Sequence, residues 1–332
     1  MASNKINILV IDDLHPCFFE QEGLQNFEIT YLPNINPSEI SKALENKHVL
    51  VVRTKVNVDA ELCKYANLLQ LVARAGSGVD NLDTNWLDSK GIEYINTPEA
   101  NSQAVAEQAL GMLLSLMANI TKADKEVRNF IWDREGNRGD ELEGKTIGII
   151  GYGNTGSRFA KILSGFDVTI LAYDKYKSGF GTKNIKETKM DAIFEKSNIV
   201  SLHIPLTDET KNLVNTNFIN QFKKPIRLLN LSRGAVTNTK DVLAAIEAKK
   251  IIGFAADVLK NERINQLNNS EMAEFEKLRS LSNVVLTPHI GGWTHQSYQK
   301  ISMSLASKIT EFYTGQSTFE EGFKEAQIED SS

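Results

Sequence analysis

Short runs of apolar residues alternate with segments of helical periodicity along the whole chain, which is typical of parallel sheets covered by helices. In the first hundred residues, apolar runs predict five strands, at Ile6–Ile11, Glu28–Leu32, Val49–Arg53, Leu69–Ala73 and Glu93–Ile95. Helical patterns lie between these strands, at Pro37–Glu45, Asp59–Tyr65 and Thr84–Ser89. This part of the chain is therefore predicted to form a doubly wound parallel sheet.

A long apolar segment separates these strands from a second series. Ser102–Asn119 is hydrophobic on nearly all sides, which predicts a helix buried between domains or subunits. The polar, glycine-containing stretch at residues 130–145 is interpreted as a linker. Six further strands are predicted beyond it, at residues 146–151, 168–173, 198–204, 227–232, 251–258 and 283–287. With helices between them, they predict a second doubly wound parallel sheet.

The last helical pattern, Ser297–Thr314, predicts a helix that returns to the first domain. The first domain is then discontinuous, comprising residues 1–100 and 294–332, and the second domain comprises residues 101–293. Residues 315–332 carry five acidic residues against one lysine and are interpreted as a solvated end of the chain.

Composition is that of an ordinary globular protein, with 332 residues, 41% hydrophobic and 24% charged. No apolar run reaches the roughly 18–20 residues that span a bilayer, and the N-terminus lacks secretory signal features, so we expect a cytoplasmic protein. A net charge of -5 without a basic stripe makes nucleic acid and anionic membranes poor candidate partners. Cys17 and Cys63 fit no metal or disulfide motif, and we expect buried, reduced thiols.

A glycine-rich turn, Gly151-Tyr-Gly-Asn-Thr-Gly156, lies between a predicted strand and a predicted helix. In this context Gly151 permits the tight turn, Gly153 lets backbone approach a pyrophosphate, and Gly156 allows close packing of helix on strand. Amides at the start of the helix then point at the phosphates. Asp174 ends the next strand, where a carboxylate meets the adenosine ribose and repels a 2′-phosphate. The sequence therefore predicts a dinucleotide site that favours NAD.

Three residues that suit the oxidation of a hydroxy acid follow three consecutive predicted strands. Arg233 can hold a carboxylate bidentately and polarise a neighbouring carbonyl oxygen. His289, oriented by Glu262, can take the hydroxyl proton while hydride leaves for nicotinamide. We interpret His203 as a pocket wall, and the remaining histidines, His15, His48 and His295, as surface or capping residues.

With these motifs in place, the chain resembles the D-isomer-specific 2-hydroxyacid dehydrogenase family over nearly its whole length. The resemblance rests on the glycine turn with Asp174, and on four further motifs: Ser201–Asn215, Asn230–Val236, Asp257–Glu262 and Thr287–Gly292. It implies a Rossmann-type NAD domain with a flavodoxin-like substrate domain. It also implies Arg233 as the substrate-orienting residue, Glu262 as the histidine partner and His289 as the acid/base.

The matching motifs add candidate contacts for the cofactor and for the substrate. The cofactor candidates beyond the glycines and Asp174 are Ser77, Asn154, Thr155, His203, Pro205, Thr210, Ser232, Asp257 and Gly291. Within the family, Arg53 and Arg74 resemble residues of members that act on 3-phosphoglycerate, at the first step of serine biosynthesis. Two guanidiniums suit a doubly charged phosphate, and Arg134 or Arg138 could add a third, across a dimer interface. The amides of Gly76, Ser77 and Gly78 are predicted to cradle the substrate carboxylate.

The chain also departs from the family pattern. Arg263 replaces the usual proline after Glu262, Trp293 replaces a small residue, and Asn261–Ser282 is polar and long, which predicts a differently shaped loop. A C-terminal serine-sensing domain is not expected. The substrate is predicted to bind between the domains, and the apolar helix at residues 102–119 predicts a homodimer. The alternatives are a reductase of glyoxylate or hydroxypyruvate, a D-lactate-type dehydrogenase, and a non-catalytic NAD-sensing protein.

Overall fold

The computed structural model describes residues 5–315, and the chain divides into two compact units. Among the described residues, the first unit comprises residues 5–101 and 295–315, and the second comprises residues 102–294. The acidic end predicted to be solvated, residues 316–332, lies outside the described residues.

The first unit contains a five-stranded parallel sheet in the order β2-β1-β3-β4-β5. Its strands are β1 (Ile6–Val10), β2 (Phe27–Tyr31), β3 (Val49–Val52), β4 (Leu71–Arg74) and β5 (Glu93–Asn96). Its helices are α1 (Pro37–Ala43), α2 (Thr84–Lys90) and, from the end of the chain, α10 (His295–Thr314). The prediction of a helix at Asp59–Tyr65 is wrong, because this segment forms hydrogen-bonded turns that lead into β4.

The alternation of apolar side chains along β1 fills two cores, one on each face of the sheet. Ile8 and Val10 point into a core that Leu305 and Ile309 of α10 complete, while Leu9 lies in the opposite core. All five side chains are fully buried. The last helix of the chain therefore covers one face of the first sheet.

The second unit contains a seven-stranded parallel sheet in the order β12-β11-β10-β9-β6-β7-β8. Its strands are β6 (Thr146–Ile150), β7 (Thr169–Tyr173), β8 (Ile185–Glu187), β9 (Ile199–Leu202), β10 (Ile226–Asn230), β11 (Ile251–Ala256) and β12 (Val284–Leu286). The order reverses between β6 and β9, which is the switch point where doubly wound sheets bind dinucleotides. The predicted fold class is confirmed, with one edge strand, β8, more than the six predicted.

Helices cover both faces of the second sheet. They are α3 (Ser102–Met117), α4 (Ile120–Arg128), α5 (Asn154–Leu163), α6 (Met190–Lys196), α7 (Thr216–Asn220), α8 (Thr239–Glu247) and α9 (Asn269–Ser280). α3 packs against α5, with Leu113 and Phe159 both fully buried in their common core. Within residues 5–315, no single helix is long and apolar enough to cross a membrane, although α3 and α4, bent by 63°, meet the length and composition criteria as a pair.

Two local predictions are settled by these elements. Cys17 and Cys63 are buried free thiols, as predicted. The segment Asn261–Ser282, predicted to be a long loop, is mostly the helix α9. Only Leu278 of its residues is buried, so the apolar pattern is weak, but Asn268 and Glu271 form a capping box that the sequence analysis did not use.

Candidate active site

The glycine turn lies between β6 and α5, at the carboxyl end of β6, beside the point where the strand order reverses. Gly151 has φ +93°, and a Cβ there would lie 2.2 Å from the carbonyl oxygen of His203. A Cβ on Gly156 would lie 2.0 Å from the carbonyl oxygen of Gly151. A Cβ on Gly153, in contrast, would meet no protein atom within 4 Å. The turn thus forms a backbone cradle that is open at Gly153, which fits the approach of a pyrophosphate.

Asp174 follows β7 and holds the neighbouring loops through backbone amides. Its carboxylate accepts hydrogen bonds from the N–H groups of Tyr152 at 2.7 Å, Tyr176 at 2.9 Å and Lys177 at 3.0 Å. Burial raises the pKa of Asp174, but these N–H groups outweigh burial and bring it below its usual value. The carboxylate is therefore ionised, as recognition of the ribose hydroxyls of NAD requires.

His203 lies beside the glycine turn, where its imidazole hydrogen-bonds Ser201 Oγ at 2.8 Å and packs against Phe159. Burial lowers its pKa to about 4, so the ring is neutral at physiological pH. A neutral imidazole here suits the predicted wall and cannot serve as a proton donor.

Other predicted cofactor residues are placed around the same sheet edge. Asn154 and Thr155 begin α5, and Thr210 Oγ1 donates to the carbonyl of Pro205 at 2.7 Å. Ser232 is buried, and its hydroxyl donates to Asn230 at 2.8 Å. These contacts are internal to the loops after β9 and β10, and the parallel pairing of β6, β9 and β10 places both loops at the same sheet edge as the glycine turn.

His289 and Glu262 form a hydrogen-bonded pair at the carboxyl ends of β12 and β11. Nδ1 of His289 lies 3.0 Å and 2.9 Å from the two carboxylate oxygens of Glu262. The hydrogen bond with Glu262 raises the pKa of His289, against the opposing effect of burial. The contact orients the ring through Nδ1, which is the arrangement that a general acid/base acting through Nε2 requires.

The backbone of His289 has φ +55°, in the left-handed region that is uncommon for a residue other than glycine. Asp257, 2% exposed, holds this conformation. Its carboxylate accepts from the amides of Ile290 at 2.9 Å and Gly291 at 2.8 Å, and from the hydroxyl of Thr287. The sequence predicted Asp257 only as a cofactor contact, and its use as an anchor for the histidine turn was missed.

Arg233 lies just after β10, next to the same edge of the sheet. Its guanidinium donates to the carbonyl of Ser232 at 2.7 Å, and the side-chain amide of Asn230 donates to the backbone carbonyl of Arg233 at 3.0 Å. The positive charge of Arg233 tends to lower the pKa of His289, so the two groups lie within electrostatic reach. The second unit therefore brings together a cation, an imidazole and a carboxylate, as predicted for the oxidation of a hydroxy acid.

In the first unit, the predicted anion-binding residues follow β3 and β4. Val52 pairs with Arg74 in the parallel ladder, so Arg53 and Arg74 occupy the same sheet edge on neighbouring strands. The prediction for the amide of Gly76 is wrong, because it donates to Thr97 Oγ1 at 3.0 Å. Thr97 follows the neighbouring strand β5, and its hydroxyl accepts the hydrogen bond that the substrate carboxylate was predicted to accept. Ser77 and Gly78 remain as the predicted carboxylate cradle.

The two candidate linker arginines are exposed in the second unit. Arg138 forms an ion pair with Glu135 at 2.7 Å, and both side chains are more than three-quarters exposed. Trp293, four residues beyond His289, is 63% exposed.

Comparison with known proteins agrees with this geometry. Residues 110–291 match the family model described as "D-isomer specific 2-hydroxyacid dehydrogenase, NAD binding domain". The chain is 33% identical over 276 residues to hydroxypyruvate reductase of Thermotoga maritima, covering 83% of this chain and 88% of that protein. It is 32% identical over 283 residues to D-3-phosphoglycerate dehydrogenase of Synechocystis, covering 85% of this chain but only half, 50%, of that protein.

A solved structure extends the comparison to the fold. D-lactate dehydrogenase of Aquifex aeolicus, crystallised with NAD and lactic acid, superposes with a TM-score of 0.80 at 24% identity, over 93% of this chain and 96% of that one. At this identity the match supports the shared architecture alone.

Proposed function

This chain belongs to the D-isomer-specific 2-hydroxyacid dehydrogenase family and has its NAD-binding domain, and on that premise we propose that it interconverts 3-phospho-D-glycerate and 3-phosphooxypyruvate. The observation that carries the substrate choice is the pair of arginines at the carboxyl ends of β3 and β4. A phosphate carries nearly two negative charges at neutral pH, and paired guanidiniums are its natural counter-charge.

Arg74 is the last residue of β4, and its side chain packs on the loop that follows. A Cβ on Gly76 would lie 1.9 Å from its Nη1, so the guanidinium occupies the space that a side chain at residue 76 would need. Nη1 also approaches the carbonyl of Ala75 at 3.4 Å. A cation seated on the backbone beside Ser77 and Gly78 supports a role in anion binding at this loop.

Arg53 is held in a second way. Its backbone amide donates to Asp12 at 2.6 Å, and its guanidinium carbon lies 5.6 Å from the ring centroid of Tyr298. Contact with an aromatic face orients the guanidinium, and the carboxylates of Asp12 and Asp13 also act on its charge. Both arginines are thus oriented by their own unit, which favours a preformed anion site over two surface charges.

In the proposed reaction, His289 takes the proton of the C2 hydroxyl, and Glu262 stabilises the imidazolium that results. Bound NAD supplies the chemistry of accepting the C2 hydride. Arg233, with the amides of Ser77 and Gly78, would hold the substrate carboxylate, and Arg53 and Arg74 the phosphate. In reverse, His289 returns its proton to the carbonyl oxygen. This reaction would place the enzyme at the start of serine biosynthesis.

Hydroxypyruvate reduction is the second candidate. Arg138, a candidate for the third phosphate contact, is paired with Glu135 instead, which favours a substrate without phosphate. The likeness to the Thermotoga maritima hydroxypyruvate reductase favours the same candidate. A non-catalytic NAD-sensing role is disfavoured, because such a protein has no use for an oriented His289–Glu262 pair.

The test is an NADH-oxidation assay with 3-phosphooxypyruvate and hydroxypyruvate in competition. We expect a higher kcat/KM for the phosphorylated substrate. Arg74→Ala should raise the KM for this substrate at least tenfold more than the KM for hydroxypyruvate, because a lost phosphate contact that contributes about 1.4 kcal/mol of binding free energy corresponds to a tenfold change. Arg279→Ala, which removes an exposed ion pair with Glu276, is the control and should change neither value. Equal kcat/KM values for the two substrates would reject the phosphate assignment in favour of the second candidate.

We also propose that two copies of the chain pair. Phe130 is 100% exposed and Trp132 is 80% exposed, next to the exposed apolar side chains of Ile120, Val127 and Ile131. A contiguous set of exposed large apolar side chains is unusual for a monomer surface and typical of a protein interface. A second copy is the occupant that this proposal assigns to the surface.

A further inference from the structure

Glu262 orients His289, yet it lies in an exposed part of the chain. The segment between β11 and α9 contains only a single short helical turn, Ile264–Gln266, and the side chain of Glu262 is 48% exposed. Packing at this point is incomplete, because a cavity of about 200 Å³ separates the segment from α9. Leu259, Asn261 and Glu271 are among the residues that line it. Something other than apolar packing must fix the carboxylate.

The side chain of Asn261, which precedes Glu262, makes two hydrogen bonds, one to the residue after Glu262 and one to α9. Its side-chain carbonyl accepts from the backbone N–H of Arg263 at 3.1 Å, which closes a turn around Glu262. Its side-chain amide donates to Glu271 on α9 at 3.1 Å. One side chain therefore sets the local turn and ties it to a helix.

Glu271 is itself fixed at the start of α9. Its carboxylate accepts from the backbone N–H of Asn268 at 3.1 Å, and its own N–H donates to the Asn268 side chain at 3.0 Å. α9 packs against α8 and β12, with Leu278 only 1% exposed. A continuous series of contacts thus joins the core of the second unit to the turn that carries Glu262.

We propose that Asn261 and Glu271 are positioning residues that hold Glu262 against His289. This inference rests on the proposed acid/base role of the His289–Glu262 pair, but not on the identity of the substrate. The charged groups that act on His289 are Glu262, Asp257 and Arg233, and neither positioning residue is among them. Their effect must therefore pass through the position of Glu262.

The direct test is Asn261→Ala. Loss of the turn and of the bond to α9 should let Glu262 move away from His289, so that kcat falls about tenfold while the KM for NADH stays unchanged. Since Glu262 raises the pKa of His289, the pH at which reduction activity is lost should shift downward. Glu271→Gln keeps an oxygen that can accept both bonds and should retain most activity, whereas Glu271→Ala should resemble Asn261→Ala.

A rescue variant separates positioning from general loss of stability. Arg263 has φ -85°, near the value of about -65° that proline imposes. In an Asn261→Ala background its N–H has lost its acceptor, so Arg263→Pro removes an unused donor and stiffens the turn. The double variant should recover roughly half or more of the lost kcat and return the pH midpoint toward that of the native protein. Asn265→Ala, an exposed residue of the same segment, is the matched control.

Two results would overturn the inference. One is an Asn261→Ala enzyme with native kcat and a native pH midpoint. The other is a reduced kcat with an unmoved midpoint and no rescue by Arg263→Pro, which would indicate simple destabilisation. Parallel measurement of Glu262→Gln distinguishes failure of the premise: if that variant also leaves the midpoint unchanged, the acid/base assignment itself is wrong.

Discussion

At the scale of single residues, the site depends on a histidine held in an unfavourable backbone conformation. A left-handed residue other than glycine costs roughly 1–2 kcal/mol, and such residues persist where their surroundings over-determine them. Asp257 supplies that constraint at His289 through two backbone amides and a hydroxyl. The position of the imidazole is thus fixed by its backbone, and its protonation by Glu262.

In the proposed reaction, the pH dependence of catalysis follows from the raised pKa of His289. Reduction needs the protonated ring as donor, so activity in that direction is present at low pH and is lost as pH rises through this pKa. Oxidation needs the neutral ring and shows the opposite limb. Glu262→Gln removes the charge that raises the pKa, and both limbs should move to lower pH.

The measurement is kcat against pH in both directions, with Glu247→Gln, an exposed acid paired with Lys277, as the control. His289→Ala should lower kcat by about 10²–10⁴-fold with nearly unchanged NADH affinity. A Glu262→Gln profile that coincides with that of the native enzyme would contradict the assignment.

At the scale of elements, the turn between β6 and α5 uses its three glycines for different reasons. Gly151 and Gly156 are required by the protein itself, since a Cβ at either would meet backbone atoms. Gly153 has φ -82°, which alanine adopts freely, and a Cβ there meets no protein atom within 4 Å. Any requirement for glycine at residue 153 must therefore come from the ligand.

This difference predicts opposite outcomes for two alanine variants. Gly153→Ala should keep the native Tm but weaken NADH binding roughly tenfold or more, because its methyl group meets the pyrophosphate. Gly156→Ala should lower stability by about 1–3 kcal/mol, because the clash is with the carbonyl of Gly151. Thermal unfolding and NADH fluorescence titration measure both; unchanged NADH affinity in Gly153→Ala would argue against pyrophosphate at this turn.

The elements also differ in how readily sequence predicts them. The buried strands and α10 were predicted within a few residues, because their apolar patterns are strong. β8, with only Ile185 buried among its three residues, carries almost no pattern. α4 was not predicted, although Ile120, Ala123 and Val127 have helical spacing, and none of its residues is buried. Tertiary pairing with β7 creates β8. The helix α9 was predicted as a loop, although Asn268 and Glu271 form a capping box at its start.

At the scale of the whole molecule, the proposed pairing of two copies gives a test that needs no substrate. Trp132→Asp places a charge in the exposed apolar surface and should shift the mass measured by light scattering from a dimer toward a monomer. The control is Tyr65→Asp, because Tyr65 is an aromatic residue of the first unit that is 50% exposed, and this change should leave the mass unchanged. A native protein with the mass of one chain would refute the proposal.

The sequence by itself determined the fold class, the NAD-binding turn and the position of Arg233, Glu262 and His289 after consecutive strands. It could do so because periodicity, glycine spacing and strand-end positions are local properties. Only the tertiary structure decided which groups hold them. Asp257 lies about thirty residues before the turn it anchors, and Thr97 takes the amide of Gly76 from a neighbouring strand. Such contacts depend on parallel strands meeting at one edge, which no local pattern of residues encodes.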